Sequence, residues 1–269
     1  MIKFVAADMD GTLLDSQKRL PVELFPTIEK LHQHQVKFAV ASGRQYYNLL
    51  NLYESIKEKV TFIAENGAIV FDQGKNIFYD EMDAQDLADI LDTLSAIPDA
   101  YPILCGLESA YLARDNGNPQ FEEHADMYYA RCERVADLRA VIKKDKICKI
   151  AIYTPRGSEE NVYPHLSRFY EKLKVVVSAD DWVDVMNKTV NKGHAIKMIQ
   201  EKYQIGFDET MAFGDYLNDY EMMEVCYYSY VMANGHPALK AIANFEAPSN
   251  DDNGVIKVLD QYLAEMSGE

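Results

Sequence analysis

The sequence predicts an α/β protein, a mostly parallel sheet carrying an inserted α+β module. Short apolar runs alternate with helical stretches, three of those runs stop abruptly in a polar or glycine turn, and the middle of the chain abandons the pattern.

Residues 4–7 (FVAA) run straight into DMDGT. Residues 36–41 (VKFAVA) lead into SGR and then QYYNLLNLYESIK. Residues 210–213 (TMAF) lead into GDYLND and then YEMMEVC. Continuous apolar strands followed by helices belong to a parallel sheet covered on both faces. Ligands bind such sheets beyond the carboxyl ends of the strands. The three polar turns are therefore expected on one rim, although they lie far apart in sequence.

Residues 62–71 (FIAENGAIVF) read as two short strands around an Asn66-Gly67 turn, a hairpin signal. Residues 83–97 space Leu87, Ile90, Leu91 and Leu94 as a helix does. Strand candidates follow at 101–105 and 111–113, then a helix at 121–128 and a strand at 149–154. A helix at 159–173 and paired strands at 175–178 and 182–186 complete the stretch. This divides the chain into a core of residues 1–82 and 188–269 and an inserted domain of residues 83–187.

With 269 residues, 48% hydrophobic and 26% charged, the chain can build an ordinary globular core. Its formal net charge of −16 argues against nucleic acid or an anionic membrane as partner. A locally cationic pocket for a small anion remains compatible with it. Cys105, Cys132, Cys148 and Cys226 form no CxxC pair and read as free thiols of a reducing compartment. No apolar run approaches the roughly 20 residues that span a bilayer. A cytoplasmic protein is expected; monomer and homodimer are both open.

Asp8 and Asp10, two apart on a strand, can flank one small volume. Adjacent carboxylates repel, which raises one pKa or calls for a cation, and Mg²⁺ suits such oxygen ligands. Gly11 permits a sharp exit from the strand, and Thr12 adds a hydroxyl and an N–H. The plainer alternative is that the two aspartates end a strand and cap a turn. Ser42-Gly43-Arg44 at a helix start offers an anion cradle, or merely a cap at Ser42. Asp215 and Asp219, with Asn218 between, fall on one face of a first helical turn if the helix starts near Asp215; simple capping is again the alternative. Lys192, with Gly193 ahead of HAIKMIQEKY, offers a cation to the same rim, or a solvated surface charge.

Taken together and in order, DMDGT, SGR, Lys192 and GDYLND resemble the four signature motifs of the haloacid dehalogenase (HAD) superfamily. The insertion lies between the second and third motifs, as in members with a C2 cap. ENGA (65–68) and DDNGV (251–255) resemble the Cof-type, class IIB hydrolases. The resemblance covers the core and implies a Rossmann-like HAD core with a C2B-type cap that sets substrate specificity.

It further implies a Mg²⁺-dependent phosphatase acting on small phosphorylated metabolites. Asp8 is then the nucleophile that forms an aspartyl-phosphate, and Asp10 the proton donor and later the base. The metal falls to the Asp8 carboxylate, the Asp10 backbone carbonyl and Asp215, with Asp219 binding through water or orienting Lys192. Thr12, Ser42, Lys192 and Asn218 are the phosphate-binding residues, and Gly43, Arg44, Asn66 and Asn234 lie toward the substrate. A nearby metal suits Asp8 to stay ionised, whereas Asp10 must hold a proton part of the time, so their environments should differ. Asn234 sits in Ala-Asn-Gly where relatives have a GNA-like turn. The cap offers Arg114, Arg131, His124, Tyr128, Tyr129 and Trp182 as polar or aromatic candidates. A sugar-phosphate mutase and a phosphometabolite-binding regulator are the competing readings.

Overall fold

The computed structural model describes residues 1–267. Two compact units emerge, one of Met1–Phe78 with Asn191–Glu269, the other of Tyr79–Val190. In chain order the strands are β1 (Phe4–Asp8), β2 (Lys37–Ala41), β3 (Val60–Ala64), β4 (Ile69–Asp72) and β5 (Lys75–Tyr79). Next come β6 (Tyr101–Gly106), β7 (Ala110–Ala113), β8 (Cys132–Val135), β9 (Ile147–Tyr153), β10 (Leu173–Ala179) and β11 (Trp182–Asn187). The chain then returns to the first sheet with β12 (Thr210–Gly214), β13 (Tyr228–Met232) and β14 (Phe245–Ala247).

The first sheet is ordered β14-β13-β12-β1-β2-β3-β4-β5, parallel from β14 through β3, with β3 and β4 antiparallel. This is the expected α/β core. Every residue of β1 is buried, so the strand needs no polar face and shows no alternation. Phe4 and Ala6 pack with Ala39, Ile63, Ala212 and Ile196, the last from helix Lys192–Tyr203. Helix Leu24–Gln33 turns Leu24, Ile28 and Leu31 inward and packs against β2.

Register decides what reaches the rim. Asp8 stands opposite Ala41, the residue before Ser42, and Ala7 stands opposite Phe213, two residues before Asp215. The last residues of three neighbouring strands therefore deliver the three polar turns to one edge of the sheet.

The second unit holds a six-stranded sheet, β10-β11-β9-β6-β7-β8. It is antiparallel except for β7 and β8, whose parallel pairing is spanned by helix Pro119–Tyr128. Its core gathers Leu87, Ile90 and Leu94 of helix Ala84–Ser95 over Leu104, Ile150, Ile152, Val183 and Val185. The helix expected at 159–173 is instead a single turn, Ser158–Asn161, followed by a 3₁₀ stretch, Tyr163–Phe169. Pro164 explains the break, since it has no N–H to continue an α-helix and its ring clashes with the preceding turn. β8 and the short helix Leu138–Val141 were not expected; each spans four residues, too few to show a period. The four cysteines are free. Among the described residues no helix is long and apolar enough to cross a membrane.

Away from the rim, Asp72 ends β4 almost fully buried. It accepts hydrogen bonds from Thr61 Oγ1 at 2.6 Å and from the Tyr203 hydroxyl, and it faces Lys37 Nζ at 3.5 Å. Burial alone raises its pKa, but these partners outweigh burial and hold it below the ordinary carboxylate value. A depressed pKa stabilises the fold at pH values above the unfolded-state pKa of about 3.9, and that contribution disappears as pH falls through the folded-state value. Asp72→Asn is expected to cost about 1.5–3 kcal/mol at pH 7 by urea denaturation. Its stability should also fall less steeply than wild type below pH ~4; parallel pH profiles would contradict the assignment.

Candidate active site

The chain leaves β1 at Asp8 and turns at once. Gly11 adopts a φ of +85°, and a Cβ there would stand 2.3 Å from Asp215 Oδ2, so only glycine fits between the first loop and the third. Thr12 Oγ1 donates to Asp215 Oδ1 at 3.1 Å and ties the same two loops together. On the other side, Asn234 Nδ2 donates to the Gly11 carbonyl at 2.8 Å.

Lys192 lies at the centre and is 0% exposed. It is the first residue of helix Lys192–Tyr203, whose start is fixed by the Asn191 side chain accepting from His194 N–H at 2.7 Å. Its Nζ donates to Asp8 Oδ1 at 2.5 Å and to Asp219 Oδ1 at 2.6 Å. Asp219, also 0% exposed, uses its second oxygen to accept from the N–H groups of Asp215 (3.0 Å) and Tyr216 (3.2 Å).

The turn after β12 thus differs from the expected single helical turn. Asp215 precedes a 3₁₀ turn, Leu217–Asp219, and the α-helix proper is Tyr220–Glu224. Asp219 brings the two acids together by capping the backbone of Asp215. The second loop differs similarly. Its helix begins at Tyr46, while Ser42 Oγ accepts from Arg44 N–H at 3.2 Å within the turn itself.

Asp8, Asp215 and Asp219 each offer a carboxylate oxygen within 4.8 Å of the others. One ammonium faces three acids, so the cluster retains excess negative charge. Burial foremost, with repulsion from Asp219 and Asp215, outweighs Lys192 and pushes Asp8 up to about 8. Burial and Asp219 push Asp215 up to about 6 against the Thr12 hydrogen bond and the Lys192 charge. Burial works against the Lys192 charge, yet Asp219 and Asp8 more than compensate and raise its pKa. An all-oxygen, electron-rich donor set of this kind fits a hard divalent cation such as Mg²⁺.

Asp10 stands apart from this trio. Its carboxylate takes Arg44 Nε at 2.9 Å and Arg44 NH2 at 2.8 Å, a bidentate grip, plus Lys18 Nζ at 2.9 Å. Burial opposes ionisation there, but the two cations hold its pKa below the ordinary value. In the protein alone Asp8 is the harder to ionise and Asp10 the easier, whereas the expectation of an ionised Asp8 supposes a metal beside it. Asp8 is enclosed among acids, whereas Asp10 is half-exposed beside two cations. The Asp10 carboxylate is accordingly not among the clustered oxygens.

Asn218 is exposed and donates from Nδ2 to Asn66 Oδ1 at 3.4 Å, and the Asn66 amide packs over Gly43. Lys18 was not singled out from the sequence, since a lysine in a polar loop carries no periodic or spacing signal. Asn250 was missed as well. It joins the first loop to the last by donating to the Leu14 carbonyl at 2.8 Å and taking Asn234 Oδ1 on its N–H at 3.1 Å. In the second unit, His124 and Trp182 pack on Tyr153, Tyr128 packs on His124 and Trp182, and Tyr129 meets the Cys105 thiol at 3.6 Å.

A rim built from four separated segments, with an acidic trio around one buried lysine, has counterparts among known proteins. The model of the haloacid dehalogenase-like hydrolases matches residues 5–259. This chain belongs to that family. The 5-amino-6-(5-phospho-D-ribitylamino)uracil phosphatase YbjI of Escherichia coli strain K12 is 31% identical over 264 residues, covering 97% of this chain and 96% of that protein. The phosphatase YwpJ of Bacillus subtilis strain 168 is 25% identical over 289 residues, covering 97% of this chain and all of its own. The crystal structure of SMU.1108c from Streptococcus mutans UA159 superposes with a TM-score of 0.84 at 28% identity, covering 98% of this chain and 100% of that one. Within the haloacid dehalogenase-like hydrolases, the chain is a phosphatase.

Removing the ammonium from the acidic trio should expose its cost. Lys192→Met leaves Asp8 and Asp219 buried without their cation, and breaking such a pair costs about 3–5 kcal/mol. The stranded carboxylates then have raised pKa values, so they favour the fold only at pH low enough to protonate them. Denaturation in EDTA should show a deficit against wild type that widens from pH 5 to pH 9. A deficit independent of pH would contradict this account of the cluster.

Proposed function

We propose that this phosphatase is Mg²⁺-dependent and hydrolyses small phosphorylated metabolites through a phosphoryl group carried on Asp8. The observation that carries the reading is the Asp8–Lys192–Asp219 contact beside Asp215, which gathers a carboxylate nucleophile, a fixed cation and oxygen ligands at one strand end.

Asp8, Asp215 and the Asp10 backbone carbonyl would hold the metal, with Asp219 orienting Lys192. When bound, Mg²⁺ supplies positive charge that offsets the carboxylates and polarises the phosphoryl group. Lys192 and Ser42, with Thr12 and Asn218, would hold the phosphoryl oxygens and offset charge that develops on them. A carboxylate oxygen of Asp8 attacks phosphorus and the ester P–O bond breaks, its electron pair leaving on the alcohol oxygen. Asp10 supplies the proton that oxygen takes up. Water then attacks phosphorus, Asp10 accepts the water proton, and the Asp8 carboxylate is released with inorganic phosphate. Arg44 and Lys18 hold Asp10 in the unprotonated form that the second half requires, and the first half requires that it first take up a proton. Arg44, Gly43, Asn66 and Asn234 are assigned to the substrate side of the rim, and residues 83–187 to substrate selection.

The substrate named for the Escherichia coli relative, a phosphorylated ribitylaminopyrimidine, heads the candidates; sugar phosphates and phosphorylated cofactors follow. A panel of these with Mg²⁺, read by phosphate release, tests the proposal. Turnover should vanish in EDTA and return with Mg²⁺. Asp8→Asn should reduce 4-nitrophenyl phosphate hydrolysis to background with the fold intact. Asp10→Asn should lower it by about 10²–10⁴-fold. Retained hydrolysis by Asp8→Asn would overturn the assignment.

A further inference from the structure

We infer that the loop Glu65–Gly67 is a positioning device, setting the turn at 42–44 and Lys192 against each other. The inference rests on the reading of Ser42 and Lys192 as phosphate-holding groups.

The loop joins antiparallel β3 and β4, for which a two-residue turn would suffice. Instead Ala64 pairs with Ile69, and Glu65, Asn66 and Gly67 adopt successive positive φ angles of 49°, 55° and 101°. Two of the three are not glycine, and the left-handed region costs about 1–2 kcal/mol for such a residue, less for asparagine. A strained run persists only where its surroundings fix it.

Those surroundings are the site. Glu65 N–H donates to the Arg44 carbonyl at 3.1 Å and Asn66 N–H to the Ser42 carbonyl at 2.9 Å, so the loop backbone grips the 42–44 turn from both ends. The Asn66 amide lies over Gly43, where a Cβ would come within 3.1 Å of it, and its Oδ1 accepts from Asn218 Nδ2 at 3.4 Å. On the opposite side, a Cβ on Gly67 would stand 2.3 Å from the Asn191 carbonyl oxygen and 3.2 Å from the Lys192 nitrogen. The loop thus presses on the peptide bond that carries Lys192. Between these contacts it spans three of the four segments that form the rim, which a hairpin turn with no role in the site has no reason to do.

Gly67→Ala tests this directly, because its Cβ cannot be accommodated without shifting the Asn191–Lys192 peptide that carries the lysine. Gly74→Ala is the matched control: φ is +71° there, but nothing lies within 4 Å of the added Cβ. A misplacement of about 1 Å can cost about 100-fold in rate. With Mg²⁺ and 4-nitrophenyl phosphate, Gly67→Ala should therefore lose about tenfold or more in kcat and bind inorganic phosphate more weakly as a competitive inhibitor. Gly74→Ala should match wild type in both, with folded fractions checked by thermal melting. If Gly67→Ala does not fold, Asn66→Gly serves, since it accepts the left-handed backbone but removes the amide. It should also lose about tenfold in kcat/KM, and the isosteric Asn66→Asp should recover part of that loss. The inference falls if Gly67→Ala and Asn66→Gly turn over like Gly74→Ala, or if their losses equal their loss of folded protein. An inactive wild type would instead strike the reading of the site itself.

Discussion

A lysine with no exposed surface needs a reason to stay charged, and Lys192 has two: Asp8 at 2.5 Å and Asp219 at 2.6 Å. Removing an ammonium from water costs several kcal/mol, which is offset only by close, well-directed carboxylates. Much of the local architecture serves this contact. The parallel register of β1, β2 and β12 brings Asp8 to the rim beside the loops that hold Ser42 and Asp215. Asn191 fixes the helix so that its first residue faces the strand end. Asp219 is held by the two N–H groups it caps, and so cannot swing away from the ammonium.

The same contact explains why two neighbouring aspartates have unlike surroundings. Asp8 shares one cation with a second buried acid and lies close to a third, leaving unbalanced negative charge where a divalent ion fits. Asp10, two residues on, points to Arg44 and Lys18 and is held ionised by them. A strand that alternates its side chains would place both on one face. The chain instead leaves strand geometry after Asp8, with Met9 already in the turn, and the carboxylates diverge. The difference between the two carboxylates is thus built into where the strand ends.

Much of this was legible in the sequence because local chemistry and global fold agree there. Residues 4–7 are apolar without alternation and are a fully buried strand. The polar turns that follow the apolar runs do share one rim. What the sequence concealed depends on contacts between distant segments or on very short elements. Lys18 reaches Asp10 only through the path of its loop, and Asn250 reaches Leu14 from the far end of the chain. The Asn66-Gly67 pair signalled a hairpin, and a hairpin is present. Its longer, left-handed loop is set by hydrogen bonds to the 42–44 turn that no local pattern encodes. The break at Pro164 was, by contrast, readable from the residue itself.

The central claim is that Asp8 carries the phosphoryl group. Acid quenching of Asp10→Asn during turnover of an aryl phosphate with Mg²⁺, followed by peptide mass spectrometry, tests it most directly. A good leaving group needs no proton to depart, while water attack lacks its base, so the phosphoenzyme should accumulate. The account predicts a phosphoryl adduct on the peptide containing Asp8, absent when Asp8 is also replaced by asparagine. An adduct on another residue, or turnover with no adduct at any quench time, would contradict it.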